Sequence, residues 1–214
     1  MPDIFSAHRH GDESITLRPE TTAVLVVDML NDFCTAGGAM VLPGGEVLYG
    51  PQNALMDAAR LAGMPVAFIN DAHRPGLRQD REFDKRTPHC MEGTWGAEVV
   101  QELTQGPDDL HITKRRFSGF FNTDLDLTLK DMQIDTVIVA GVVTNVCVRS
   151  TVHDAFFQGY KVIVPEDCVA ATGPREQISS LYDISNNYGI VSGSAEIINA
   201  LGGDGVVMNR EIAE

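Results

Sequence analysis

Cys147 is the residue most suited to chemistry in this sequence. It lies in Ala140-Gly-Val-Val-Thr-Asn-Val-Cys147-Val, an apolar run, a tight turn, then a stretch of helical character. A thiol in a first helical turn meets the positive end of the dipole and free backbone N–H groups. Both favour a thiolate, and the same N–H groups could hold a developing oxyanion. The plain alternative is a packing cysteine, since cysteine is among the most buried residue types. Asp28 lies within the apolar run LVVDML, where a carboxylate is costly unless paired or working. Lys114 closes the run LHITK. The plain readings are a strand-end charge bonded to a loop and a solvated lysine beside Arg115 and Arg116. Read together, the aspartate could take the thiol proton and the lysine could hold both, which is the logic of an activated nucleophile.

Asp71-Ala-His73, with His89 sixteen residues later, forms a second group. In an extended segment, residues two apart point the same way, so Asp71 and His73 could share one ion. One carboxylate and two imidazoles with open positions suit a catalytic metal better than a structural one. Locally bonded loop residues are the alternative. His8, His10, His111 and His153 show no such grouping and read as structural or solvated. Neither GxGxxG nor a P-loop occurs, so no nucleotide cofactor is expected.

Elements must bring these residues together. The strand candidates are 23–29, 65–70, 110–113, 136–140, 161–164 and 189–191. Several are continuously apolar, as strands buried on both faces must be. Helix candidates lie near 51–62, 95–104, 123–133, 145–158, 174–186 and 194–201. Asn122-Thr123-Asp124 and Thr144-Asn145 offer N-caps, and Gly63, Gly159 and Gly202 offer stops. Six βα units in sequence predict a three-layer α/β/α Rossmann-like fold with a six-stranded, mostly parallel sheet. In such sheets sites form at the carboxyl ends of strands, where Asp28, Asp71, Lys114 and Cys147 all fall. The stretch 71–94 is the longest irregular one, and loops of that length tend to be functional.

Composition narrows the setting. The 214 residues form one domain by length, read as 1–214. Sixteen Lys+Arg against thirty Asp+Glu give a net charge of −14, which would repel a phosphate backbone and argues against nucleic acid. No apolar run is long enough to span a bilayer, and the polar N-terminus lacks the apolar core of a signal peptide. Cys34, Cys90, Cys147 and Cys168 are too far apart for CxxC motifs, so free thiols and a cytoplasmic setting are expected. The C-terminal GGDGVVMNREIAE carries no catalytic signal and is read as packing at a subunit contact or fraying.

Three blocks, VVDMLNDF around Asp28, ITKRRFSGFFNTDLD around Lys114 and VIVAGVVTNVCVRSTVHDA around Cys147, stand in an order and spacing that resembles the isochorismatase-like cysteine hydrolases, which include the nicotinamidases. The resemblance runs from about Ala23 to Ala171. It implies a sheet ordered 3-2-1-4-5-6 and a catalytic triad of Asp28, Lys114 and Cys147. It also implies a non-proline cis peptide at Val143–Thr144, beside the oxyanion site, and assembly as a homodimer or homotetramer. The activity implied is hydrolysis of a small amide, nicotinamide or similar, to an acid and ammonia through a thioester. The alternatives are metal-independent hydrolysis of carbamoyl or ureido compounds and a redox-sensing thiol. Asp71, His73 and His89 match the metal ligands of nicotinamidases, which implies a divalent metal, zinc first. Two positions depart from that pattern. Arg86 replaces a ring-stacking aromatic, and Ala72 replaces a tryptophan. An arginine there suits a carboxylate-bearing amide better than a neutral ring. Phe33, Trp95, Phe117 and Phe120 are the other candidates for the substrate pocket.

Overall fold

A computed structural model describes residues 14–78, 80–210 and 212; His8, His10 and most of the N-terminal segment lie outside the described residues. The strands are β1 (Ser14–Thr16), β2 (Thr22–Val27), β3 (Val66–Asp71), β4 (Leu110–Lys114), β5 (Thr136–Val142), β6 (Lys161–Pro165), β7 (Val169–Ala170), β8 (Ile190–Ser192) and β9 (Val206–Met208). The helices are α1 (Asn31–Cys34), α2 (Tyr49–Leu61), α3 (Leu125–Asp131), α4 (Arg149–Phe157), α5 (Pro174–Asp183) and α6 (Ser194–Leu201).

The central sheet runs β4-β3-β2-β5-β6-β8, and every pairing in it is parallel. Counted along the six expected strands, that order is 3-2-1-4-5-6. A seventh strand, β7, pairs with the last two residues of β5, one more than the six expected. Its two residues are too short a run to carry a pattern in the sequence.

Alternation along each strand divides the core. Val24, Val26, Phe68, Ile138 and Ala140 face Leu55, Met56 and Ala59 of α2 and Ile197 of α6. Their neighbours Ala23, Leu25, Val27, Ile69, Val137 and Val139 face Leu125 and Leu129 of α3, Val152 and Ala155 of α4, and Leu181 of α5. Every residue of β2 and β5 is buried. This is why those strands read as unbroken apolar runs rather than alternating ones.

Four expectations need correction. Residues 95–104 do not form a helix. After a 3-10 turn at Trp95–Ala97, Val99 bridges to Leu30 and the Val100 N–H donates to the Met29 carbonyl, so pairing with the chain beyond β2 overrides helical propensity. The expected N-caps do not cap α3 or the turn before α4. Leu125 N–H does reach the Thr123 hydroxyl at 3.3 Å, but Asn145 bonds Thr172 instead. The helices expected at 145–158 and 174–186 are each part π-helical, at Thr144–Val148 and Ile184–Tyr188. The described part of the C-terminal segment is paired within the chain rather than frayed. β9 pairs antiparallel with β1, Val207 is buried, and Arg210 pairs with Glu166 and Glu196.

One glycine positions the site. Gly141 stands opposite Val27 in the β2–β5 register with φ 114°, and a Cβ there would lie 2.0 Å from the Val27 carbonyl oxygen. Only glycine lets β5 approach β2 this closely just before the Cys147 turn. Gly141→Ala should therefore destabilise the fold by about 3 kcal/mol or more, read as a lowered urea midpoint. A shift under about 1 kcal/mol would show that the two strands can part without loss.

Candidate active site

The site forms where four neighbouring strands end. Asp28 follows β2, Asp71 ends β3, Lys114 ends β4, and Cys147 lies in the π-helical turn after β5. Asp28 adopts the left-handed region, φ 53°, a conformation aspartate tolerates better than most residues. Its backbone N–H donates to the Ile69 carbonyl, and its carbonyl accepts from Leu30 N–H, so the turn is held at both sides. The carboxylate thereby reaches across to the neighbouring strand ends.

Lys114 Nζ lies 2.8 Å from Asp28 Oδ2, 3.7 Å from Asp71 Oδ1 and 3.8 Å from Cys147 Sγ. The other Asp28 oxygen accepts the Asp71 backbone N–H at 2.8 Å. Asp28, Asp71, Lys114 and Cys147 are all buried. Burial pushes the Asp28 carboxyl up to about 6, with Lys114 opposing and Asp71 adding to the rise. Burial alone would lower the Lys114 ammonium, yet Asp28, Cys147 and Asp71 hold it above its ordinary value. Burial also raises the Cys147 thiol well above its ordinary value, against the pull of Lys114. The thiolate expected from a helix start is therefore not the resting form. Burial outweighs the pull of Lys114, and the proton must go to a base before the sulfur can attack.

The peptide turn before Cys147 differs in one detail from expectation. The cis bond is Val142–Val143, not Val143–Thr144. The Val143 carbonyl already accepts from Val146 and Val148, so the chain must change direction before Val143 rather than after it. The Thr144 hydroxyl is buried without a partner.

A second cluster adjoins the first through Asp71. Ligand atoms of Asp71, His73, Glu82 and His89 all lie within 4.8 Å of one another, and all four residues are buried. His73 Nε2 is 3.1 Å from Asp71 Oδ2 and 3.8 Å from Glu82 Oε2; His89 Nε2 is 3.6 Å from Asp71 Oδ2. The far ring nitrogens are held from outside. His73 Nδ1 meets Asp80 at 2.7 Å, and His89 Nδ1 meets the Thr87 carbonyl at 2.7 Å. Such outer bonds fix the ring so that Nε2 faces the centre, as in metal sites. Burial disfavours the His73 imidazolium, but Asp71 and Asp80 outweigh it and push the ring up to about 9. Burial, reinforced by Asp71, raises the Glu82 carboxyl, and its Oε1 is buried without a partner. Two imidazoles and two carboxylates around one point fit a divalent metal.

Sequence reasoning missed Glu82, Asp80 and Phe83, whose ring lies 4.5 Å from that of His73. They stand in an irregular, charge-rich stretch where no periodicity separates an inward carboxylate from a solvated one. Phe33 packs its ring against His89 at 5.3 Å. Trp95 and Phe117 are exposed, at 48% and 40%. Phe120 is buried, its ring 5.7 Å from that of Tyr160, in the same core cluster as Cys147. Arg86 is exposed and donates to the Lys85 carbonyl, because the 3-10 turn at Glu82–Asp84 carries it outward. No helix among the described residues is long and apolar enough to cross a membrane.

The chain as a whole is similar to known proteins. The family profile described as the isochorismatase domain matches residues 22–196. A ureidoacrylate amidohydrolase, RutB of Rhizobium rhizogenes, is 34% identical over 84% of this chain and 83% of its own. The crystal structure of N-carbamoylsarcosine amidase from Thermoplasma acidophilum is 34% identical with a TM-score of 0.74, covering 83% of this chain and 98% of that one. A pyrazinamidase of Pyrococcus horikoshii, solved in complex with zinc, is 28% identical with a TM-score of 0.76, covering 81% and 99%.

Removing Lys114 would leave two carboxylates buried without their cation. Lys114→Met should cost about 3–5 kcal/mol in urea unfolding, and adding Asp28→Asn should recover part of that. Loss of less than about 1 kcal/mol would mean that water or a proton replaces the ammonium with ease.

Proposed function

The chain belongs to the isochorismatase family of hydrolases, and on that premise we propose that it is a cysteine amidohydrolase of small carbamoyl or ureido compounds. The observation that carries the reading is the buried Lys114 ammonium, 2.8 Å from a carboxylate and 3.8 Å from a thiol. Asp28, pushed up to about 6, can both accept and return a proton near neutral pH. It takes the Cys147 proton as sulfur attacks the carbonyl carbon. Backbone N–H groups at Cys147 and around Val143 and Thr144 receive the oxyanion, with the unpartnered Thr144 hydroxyl beside them. Protonated Asp28 then gives its proton to the departing ammonia, leaving an acyl group on sulfur. Water, losing a proton to Asp28, cleaves that thioester and frees the acid and the thiol. Lys114 keeps Asp28 in place and offsets the negative charge in each step.

The similarity to RutB and to N-carbamoylsarcosine amidase favours carbamoyl and ureido substrates. The Asp71, His73, Glu82, His89 cluster favours a second reading, nicotinamide or a related ring amide, because the similar pyrazinamidase was solved with zinc. In either reading those four residues would hold a divalent metal, zinc first. Bound there, the metal would supply a Lewis-acid contact that orients the substrate. Asp80 and the Thr87 carbonyl would keep both rings aimed.

Ammonia release from ureidoacrylate, N-carbamoylsarcosine and nicotinamide tests the class and the substrate together. Turnover of a ureido or carbamoyl compound should fall by about 10⁴-fold or more in a folded Cys147→Ala variant. Activity surviving that change would end the thiol mechanism, and nicotinamide as the sole substrate would select the second reading. Zinc should bind at one ion per chain, and Asp80→Ala should weaken it about 10–100-fold in a chelator competition. No stoichiometric zinc in the parent protein would remove the metal from the site.

A further inference from the structure

Thr151 stands in α4, one helical turn after the thiol, and is fully buried. Its hydroxyl makes one bond in each direction. It donates to the Cys147 carbonyl at 2.8 Å and accepts the Gly119 N–H at 3.0 Å. Gly119 lies in the segment that follows Lys114 at the end of β4. One side chain therefore joins the turn that carries the thiol to the segment that follows the ammonium, and those two groups lie 3.8 Å apart. Gly119 is itself held by the core. A Cβ there would lie 2.8 Å from Ile69 Cγ2 of β3 and 3.3 Å from Leu125 Cδ2 of α3, and its carbonyl accepts from the Thr123 hydroxyl. A helical threonine that bonds the carbonyl four residues back gains little and tends to bend its helix. Here that carbonyl belongs to the π-helical turn Thr144–Val148, and the same hydroxyl satisfies a buried N–H. On the other flank of the turn, Asn145 exchanges two bonds with Thr172, each 3.1 Å. Those bonds are exposed, so water can stand in for them; the Thr151 bridge has no such substitute.

We propose that Thr151 is a positioning residue for the nucleophile: its hydroxyl, bridging the Cys147 carbonyl and the Gly119 N–H, sets the sulfur against Lys114 and Asp28. This rests on the amidohydrolase reading above. Thr151 acts through the backbone of Cys147 and touches no reacting atom. The bridge needs a hydroxyl, which donates to one group and accepts from another within the space of a methyl group. Valine has the shape of threonine and can do neither. A misplacement of about 1 Å at a reacting group can lower a rate about 100-fold.

The experiment uses two comparisons that turn on the hydroxyl: the parent against Thr151→Val, and Thr151→Ser against Thr151→Ala. The second repeats the test in a roomier site should Thr151→Val not fold. The substrate is whichever of ureidoacrylate, N-carbamoylsarcosine and nicotinamide the parent hydrolyses. In Thr151→Val kcat should fall about 10–100-fold while KM changes less than about threefold, and Thr151→Ser should stay within about threefold of the parent. A kcat unmoved in folded Thr151→Val, or equal in Thr151→Ser and Thr151→Ala, overturns the positioning role. Alkylation of Cys147 by iodoacetamide, followed by mass spectrometry with Cys147→Ala as blank, needs no turnover. Its rate at neutral pH should fall about tenfold in Thr151→Val, because the displaced sulfur loses Asp28 and Lys114, and Thr151→Ser should react like the parent. A rate unchanged or raised in Thr151→Val overturns the proposal. Hydroxyl-dependent alkylation in a protein whose parent hydrolyses none of the amides would leave the positioning role standing and count against the hydrolase reading.

Discussion

The ammonium of Lys114 is the group on which the rest of this site depends. It is buried at the end of β4 and faces two carboxylates and a thiol, contributed by the next three strand ends. Without it, Asp28 and Asp71 would be two like charges in a dry space, a state that ordinarily drives one of them to take up a proton. With it, Asp28 is pushed up only to about 6 and Asp71 is held well below the usual carboxylate range, burial notwithstanding. Two aspartates on adjacent strands thus acquire opposite characters from one cation. One is poised to exchange protons near neutrality, and the other stays ionised and faces the imidazoles.

Asp71 makes the two clusters one structure. Its backbone N–H bonds Asp28, one carboxylate oxygen faces Lys114, and the other faces His73 and His89. The irregular segment after β3 is then anchored by backbone pairing. His73 N–H donates to the Cys90 carbonyl, and Glu92 N–H to the His73 carbonyl. Asp32, four residues past Asp28, accepts the Cys90 N–H at 2.6 Å and the Ala39 N–H at 2.9 Å. Gly96 lies so close that a Cβ there would meet the Asp32 carboxylate at 2.3 Å. The loop that carries His89 is therefore held by the turn that follows Asp28, which keeps a long irregular stretch in one arrangement.

Much of this was legible in the chain itself. Continuous apolar runs marked several of the strands of the central sheet, because a strand covered on both faces has no polar side to show. Asp28 and Lys114 stood out because a charge inside such a run needs a partner. Cys147 stood out through its glycine-led turn after a strand. Asp71, His73 and His89 were visible because extended spacing and residue type coincide there. Glu82 and Asp80 were not, since a carboxylate in a charged loop carries no local sign of facing inward. The segment 95–104 misled for a related reason: its apolar spacing suits a helix, but its partner is the backbone at Met29 and Leu30, distant in sequence.

By itself, then, the amino-acid order determined the layer architecture, the strand sequence and the residues able to do chemistry, because hydrophobic patterning and residue type are local properties of a chain. The tertiary structure decided which of those residues meet. Only folding sets Lys114 between Asp28, Asp71 and Cys147, swings Glu82 in and Arg86 out, and gathers Arg74, Arg115 and Arg116 around one cavity. It also decided the resting state of the thiol. Lys114 favours a thiolate, but the desolvation of Cys147 is a property of everything packed around it, and that effect is the larger.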